Sequence, residues 1–264
     1  MTTIPKFAPL KVQGAYDQVL IKHELLGNNI FEHSMVATTV YQDGKSMWQP
    51  DGVFEDEQFD KVNKIHHYEI DDSGNKTLVT GEYNTFQMVN LTTRDEYSKK
   101  ESWEGSNTVE NGKVTTGDKV PLWIKYKHPW EFRDDLNLPY TYKVLSSLPY
   151  EYIQTVRCVM QTPPSIGVVH ADSGPTLNTQ YYDEGFASIT LNIDAGQGHL
   201  WFFSETDGTE HSVDENKWDS WHFDDSCRHC TTEIYSPRLQ LRVFGKLESG
   251  VNYLDLLDLE HAIW

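Results

Sequence analysis

Apolar and polar residues alternate in short runs along most of the chain. The segments SMVATTVY (34–41), KIHHYEI (64–70), KTLVTGEY (76–83), TFQMVNLT (85–92), PLWIKYK (121–127), YIQTVRCVM (152–160), SITLNID (188–194), HLWFFSE (199–205), DSWHF (219–223) and RLQLRVFG (238–245) are rich in β-branched and aromatic residues, the composition of pleated, half-buried strands. Asp43-Gly44, Ser73-Gly74, Asn111-Gly112 and Asp207-Gly208 fall between such segments and suit the left-handed backbone of tight hairpins. Many short strands with short connections predict an antiparallel sandwich or barrel.

Two stretches depart from that pattern. LPYTYKVLSSLP (138–149) offers Pro139 for a first helical position and ends before Pro149, where proline geometry stops a helix. VNYLDLLDLEHAIW (251–264) reads as a second helix with Tyr253, Leu256, Leu257 and Ile263 on one face, packed against the barrel in preference to a dimer partner. No linker rich in Pro, Gly or Ser and no repeat divides the sequence. It reads as one domain, residues 1–264, with a β-rich N-terminal elaboration at 1–82, a core at 83–247 and a C-terminal helix at 248–264.

Composition narrows the partners. With 38% hydrophobic and 12% aromatic residues, a chain of 264 residues can bury a full core. The 22 Lys and Arg stand against 40 Asp and Glu, a formal net charge of −18, which repels polyphosphate and argues against nucleic acid. The same acidity favours a neutral or cationic partner over an anionic one. The N-terminus, MTTIPKFAPLKVQGAYDQVL, lacks an apolar stretch behind a basic start, and no apolar run is long enough to span a bilayer; the expectation is no membrane partner and a cytoplasmic location. Cys158, Cys227 and Cys230 cannot close a disulfide framework, in keeping with a reducing compartment. The sequence gives no reading of oligomeric state.

One segment concentrates chemistry: WHFDDSCRHCTT (221–232) holds two histidines, two aspartates, two cysteines and an arginine. Cys227-x-x-Cys230 has the spacing of a zinc knuckle, but a structural site needs four ligands and Cys158 has no neighbouring cysteine. A redox dithiol opens a helix of a βαβ unit, and here another strand follows. His229 instead suits one corner of a site completed from elsewhere. Two histidines and a carboxylate on one face of the metal, the first two spaced His-x-Asp on an extended chain, are a common non-haem iron set. His170-Ala171-Asp172 has that spacing. So does His222-Phe223-Asp224, but only His229 and His261 follow it, one too near for intervening strands and the other in the predicted tail helix. Beyond His229, Arg238 opens RLQLRVFG, where alternation puts Arg238, Gln240 and Arg242 on one face and Leu239, Leu241 and Val243 on the other. The polar face either lines a cavity or looks at solvent. In a cavity, the planar fork of Arg238 would fit the far carboxylate of 2-oxoglutarate.

These blocks resemble the aspartyl/asparaginyl β-hydroxylase branch of the Fe(II)- and 2-oxoglutarate-dependent dioxygenases. VVHADSGPTLN (168–178) is similar to that family's H-x-G-P-T-N block, with an extra Leu177. FDDSCRHC (223–230) and PRLQLRVFG (237–245) are similar to its F-D-D-S-x-x-H block and the arginine that follows, with Phe223, Asp224, Asp225, Ser226 and His229 matching without a gap. LPYTYKVLSSLPYEYIQTVRCVM (138–160) resembles the helix and strand that precede the first histidine in related amino-acid hydroxylases, so the resemblance spans roughly 130–246.

The resemblance implies a mainly β fold, a double-stranded β-helix (jelly-roll, cupin-like) barrel with a few flanking helices. It implies Fe(II) held by His170 and His229, 2-oxoglutarate as co-substrate anchored by Arg238, O2 as oxidant, and hydroxylation of an amino acid, free or within a peptide or protein; some members of the group lack a metal carboxylate, and here the His-x-Asp spacing adds Asp172 as the third ligand. Ser188-Ile189-Thr190-Leu191 stand where the family has R-x-H-L. Ser188 and Thr190 would then flank the co-substrate, and Arg242 is the candidate to replace the missing cation.

Other roles stay open at this level. Asp225 and Ser226 either orient His229 or form an Asx or Ser turn. Tyr181, Tyr182, Trp201, Trp218 and Trp221 either line a pocket or, as aromatics more often do, pack the core. The competing functions are a non-catalytic cupin-like module that binds a metal or another ligand, and a zinc structural protein centred on Cys227 and Cys230.

Overall fold

Alternation makes strands in this chain, and most of the described ones assemble into two sheets that pack on each other, the rest forming three two-stranded sheets. The computed structural model describes residues 3–33, 35–42, 45–50, 65–70, 76–81, 85–93, 107–110, 113–116, 131–161, 181–203, 210–231, 234 and 236–264. Its strands are β1 (Phe7–Pro9), β2 (Met35–Gln42), β3 (Lys45–Pro50), β4 (Ile65–Ile70), β5 (Lys76–Gly81), β6 (Thr85–Asn90), β7 (Thr92–Thr93), β8 (Asn107–Glu110), β9 (Lys113–Thr116), β10 (Glu131–Phe132), β11 (Tyr150–Gln161), β12 (Phe186–Ala195), β13 (His199–Phe203), β14 (Glu210–Asp214), β15 (Ser220–Phe223), β16 (Arg228–Thr231) and β17 (Arg238–Leu247). Among the described residues, eight strands form an antiparallel sheet in the order β1-β15-β12-β17-β11-β6-β2-β3, and three form a smaller one, β14-β13-β16. The turn dipeptides themselves lie outside the described residues. The strands on either side of them pair as hairpins in all four cases: β2 with β3, β4 with β5, β8 with β9, and β13 with β14. PLWIKYK also lies outside the described residues.

The two faces of β17 settle where the core is. Leu239, Leu241 and Val243 are buried with Val156 and Cys158 of β11 and Ile189 and Leu191 of β12. Helices α1 (Gln18–Gly27) and α2 (Pro139–Ser146) cover that face, through Ile21 and Leu25 and through Val144 and Leu145. The opposite face carries Arg238, Gln240 and Arg242. It is turned to the smaller sheet, whose Leu200, Phe202 and Val213 pack with Phe7, Trp221 and Phe223 of the large one. Arg238 and Gln240 are 3% and 1% exposed, so the polar face is interior and not solvent-facing.

The first turn of α2 is completed from a distance. Leu138 provides no side-chain cap and Pro139 opens the helix. Glu24 of α1 does the capping instead: its carboxylate accepts from the backbone N–H groups of Tyr140 and Thr141 and from the Thr141 hydroxyl, each at 2.8 Å. Backbone donors at a helix start favour an anion, so one residue fastens both helices over the core.

The tail departs from expectation. Residues 251–264 form one helical turn at Tyr253–Leu256 and a 3-10 turn at Leu259–His261, not a single helix. Asn252 and Asp258 each cap a new turn with their side chains, and Leu257 and Ile263 bridge back to Leu10 and Phe7. Ladder bonds to the N-terminal strand replace the i→i+4 bonds a continuous helix would need. No helix among the described residues is long and apolar enough to cross a membrane.

Candidate active site

His229 owes its position to the alternation of β16. It pairs with Phe202 of β13, so both side chains face the large sheet. The imidazole is 2% exposed and lies 5.1 Å from the ring of Phe223, edge to face. Its Nδ1 is 2.8 Å from the carbonyl oxygen of Cys227. A carbonyl only accepts, so Nδ1 carries the proton and Nε2 presents a lone pair, the form in which imidazole binds a metal. The preceding turn is an Asx turn: Asp224 Oδ1 accepts from the Ser226 backbone N–H at 3.0 Å and from its hydroxyl at 2.6 Å. Ser226 therefore shapes the loop, and the group that fixes Nδ1 is the Cys227 carbonyl.

Phe223 serves a second residue. The Arg242 guanidinium carbon stands 4.8 Å from the same ring centroid, a cation–π contact. Phe223 thus contacts both the imidazole and the guanidinium. Arg242 has Thr190 of β12 opposite it on one side and Arg157 of β11 on the other. Thr190 is buried. Ser188, next along the same face of β12, uses its backbone carbonyl to accept from the Tyr253 hydroxyl at 2.7 Å.

Arg238 is engaged elsewhere. Its Nε and Nη2 donate to the two carboxylate oxygens of Glu215 at 2.7 and 2.6 Å, and Gln240 adds a bond to Glu215 Oε1 at 3.1 Å. Glu215 is fully buried at 0% exposure. A bidentate pair occupies the fork that was expected to grip 2-oxoglutarate, and an incoming carboxylate would meet the charge of Glu215. Glu215 comes from the short turn after β14, and nothing in its spacing announces Arg238 as its partner.

His222 sits on the other face of β15. Its Nε2 is 3.1 Å from the Pro5 carbonyl oxygen and its Nδ1 is 2.6 Å from the Tyr253 hydroxyl, with Tyr182 stacked on Tyr253 beside it. Burial pushes its pKa down to about 4, against the opposing pull of Asp224 and of the Pro5 and Ser188 carbonyls. Tyr181 and Trp221 are core residues, and Tyr182 packs against the core. Trp201 pairs with Cys230 on the side of the smaller sheet away from His229.

The cysteines do not converge on a metal. Cys230 follows His229 along the strand and so points the other way, while the Cys227 thiol donates to Asp224 Oδ2 at 3.6 Å. Burial, helped by Asp224, pushes Cys227 up to about 12, and burial, helped by Glu210, pushes Cys230 up to about 11. Among the described residues no three His, Cys, Asp or Glu side chains stand together as a metal site. His170 and Asp172 lie outside the described residues.

Exposure changes along the polar face. Gln161, Arg238, Gln240, Asn192 and Thr190 are buried, whereas Arg157, Arg242 and Ser188 are half-buried, as are Phe244 and Lys246 further along β17.

No protein-family model and no curated protein matches the chain. Among the many solved structures that show distant likeness are the following three. A Pseudomonas putida prolyl-4-hydroxylase is 15% identical, with a TM-score of 0.29 over 62% of this chain and 73% of that one. An oxidoreductase of the 2OG-Fe(II) oxygenase family from Burkholderia pseudomallei is 12% identical, with a TM-score of 0.30 over 63% and 71%. A DMSP lyase is 12% identical, with a TM-score of 0.21 over 38% and 41%. None superposes closely enough to identify the fold of this chain.

Proposed function

We propose that this chain is an Fe(II)- and 2-oxoglutarate-dependent oxygenase that hydroxylates an amino acid, free or within a peptide or protein. One observation carries the reading: His229 is a buried imidazole with Nδ1 tied to a backbone carbonyl, beside a guanidinium that rests on the same phenylalanine. A neutral imidazole is a sound donor for ferrous iron, and His170 and Asp172 complete a set of two histidines and a carboxylate. Both fall between β11 and β12 in the chain. Jelly-roll connectivity passes from one sheet to the other between such strands, and β16 ends the described ladder of the smaller sheet. The double-stranded β-helix barrel is the fold this reading requires. The aspartyl/asparaginyl branch rests on the sequence blocks around His170 and His229.

Bound at this set, iron with 2-oxoglutarate and O2 supplies the oxidising power to place one oxygen atom on a carbon–hydrogen bond. The chain's own residues bind, orient and shield. The Cys227 carbonyl holds the proton on Nδ1 of His229. Arg242 receives the far carboxylate of 2-oxoglutarate with the Thr190 hydroxyl beside it, and Arg238 serves Glu215. Phe223 sets the spacing between His229 and Arg242, and with Phe202 and Trp221 keeps water from the inner end.

The test is direct. Protein loaded anaerobically with Fe(II) is expected to release succinate from 2-oxoglutarate in air, and His229→Ala and His170→Ala are each expected to abolish both that release and metal retention in equilibrium dialysis. Tight zinc binding without succinate release would identify a binding module and overturn the oxygenase.

A further inference from the structure

The first half of β11 parts from its neighbours. Among the described residues, β6 pairs with β11 over Arg157–Gln161 alone. The chain after β6 makes one more bond to it, the Leu91 N–H donating to the Val156 carbonyl at 2.8 Å, and then Thr92–Thr93 turns to pair with Glu131–Phe132 of β10. On its other side β11 stays with β17, but its register shifts between Tyr150 and Tyr152 and again between Ile153 and Thr155. Such bulges bend a strand and re-aim its side chains. A groove of about 270 Å³ lies along this segment, between β10, the end of α2 and the start of β11.

Phe132, Leu145, Leu148, Tyr152 and Ile153 line the groove, with the exposed residues Ser146 and Glu151 beside them. Phe132 is stacked on Tyr142 at 4.5 Å, which fixes the ring and covers its far face. Burial, helped by the Glu151 charge, raises the Tyr152 pKa; that carboxylate therefore acts close to the phenol. Glu131 and Asp134, either side of Phe132 in the chain, are exposed acids as well. Lys143 in the last turn of α2 offsets one of these three charges. A side chain with an aliphatic stem and a cationic head matches both parts, its stem along the apolar walls and its head at the acids. Arginine does this better than lysine, because a guanidinium stacks on aromatic rings and pairs with a carboxylate through two bonds. We propose that this groove docks an arginine side chain presented by a protein partner. The net charge of −18 draws a basic partner toward the chain, and the groove gives it one place to anchor. Leu145 belongs to the core on the face of the large sheet opposite His229, so the inference does not rest on the oxygenase reading.

Heteronuclear NMR on the 264-residue protein tests this with blocked peptides Ala-Ala-X-Ala-Ala, in which X is arginine, lysine, citrulline or glutamate. The arginine peptide is expected to shift the backbone amides of Phe132, Leu148, Glu151, Tyr152 and Ile153, with a Kd on the order of 1 mM that weakens as salt is raised. Glu151→Gln is expected to weaken it about threefold, the scale of a solvent-exposed ion pair. Ser146→Trp, which fills the groove from an exposed position, is expected to abolish the shifts at an unchanged urea midpoint. Citrulline or lysine peptide bound as tightly as arginine, shifts that fall outside the groove, or an unchanged Kd in Glu151→Gln would each overturn the proposal. Because metal, 2-oxoglutarate and turnover take no part in these measurements, failure of succinate release leaves the docking site standing, and failure of docking leaves the oxygenase.

Discussion

Arg238 and Glu215 show how one residue's partner decides its role. Removing Arg238 leaves a carboxylate that is 0% exposed with its charge uncompensated, a loss of about 3–5 kcal/mol for pairs of this kind. Arg238→Met is therefore expected to lower the urea midpoint sharply, and Arg238→Met with Glu215→Leu to restore most of it. Loss of 2-oxoglutarate affinity at unchanged stability would return Arg238 to the co-substrate role the sequence suggested. His222 makes a second prediction. Its unfolded imidazole titrates near 6.5 and its buried one near 4, so between those values the unfolded chain holds a proton that the native state lacks. Stability is then full above pH 6.5 and falls as pH drops toward 4, by about 2 kcal/mol at most at pH 5. Denaturation at pH 7.5 and pH 5 checks this, and His222→Phe is expected to flatten the difference. Residue identities alone single out His229 as a candidate, because FDDSCRH is a dense string of chemistry-bearing residues. They could not reveal the Cys227 carbonyl, which has no side-chain signature.

At the scale of elements, strands among the described residues were legible where apolar residues alternate, and RLQLRVFG is the clearest case: its two faces divide as the pattern demands. Helix α1 was not legible. Val19, Leu20 and Leu26 are exposed at 78%, 41% and 40% while Ile21 and Leu25 are buried, so its apolar residues draw no clean stripe. Strand β16 was hidden for the opposite reason, since RHCT offers no apolar alternation and takes its form from pairing with β13. The tail misled through density: leucines crowd positions 254–259, but Asn252 and Asp258 restart the chain twice. Glu24 gives the element-scale prediction. Glu24→Ala is expected to cost about 1–2 kcal/mol, in the range of lost helix caps, and Glu24→Gln less; chemical denaturation measures both, and an unchanged midpoint would mean that water replaces the cap. Because Cys230 turns away from His229, Cys227→Ser with Cys230→Ser is expected to leave metal retention in equilibrium dialysis unchanged.

Across the whole molecule, strand order is what brings distant sequence blocks together. Residues near 157, 190, 223, 229 and 242 meet because β11, β12, β15 and β17 share one sheet and β16 lies in the other. A ligand that binds only this assembled state raises its stability in proportion to the logarithm of concentration over Kd. Mn(II) with 2-oxoglutarate is expected to raise the melting temperature of the wild type, and of Arg238→Met with Glu215→Leu, but not of Arg242→Met. No shift in the wild type would remove the co-substrate from the account.

The ion pair of Arg238 with Glu215, backed by Gln161 and Gln240, stoppers one end of the interior with charge. Salt dissolved in the surrounding water reaches an exposed pair such as Lys22 with Asp194 but not this one, so brine that loosens the first leaves the second fastened.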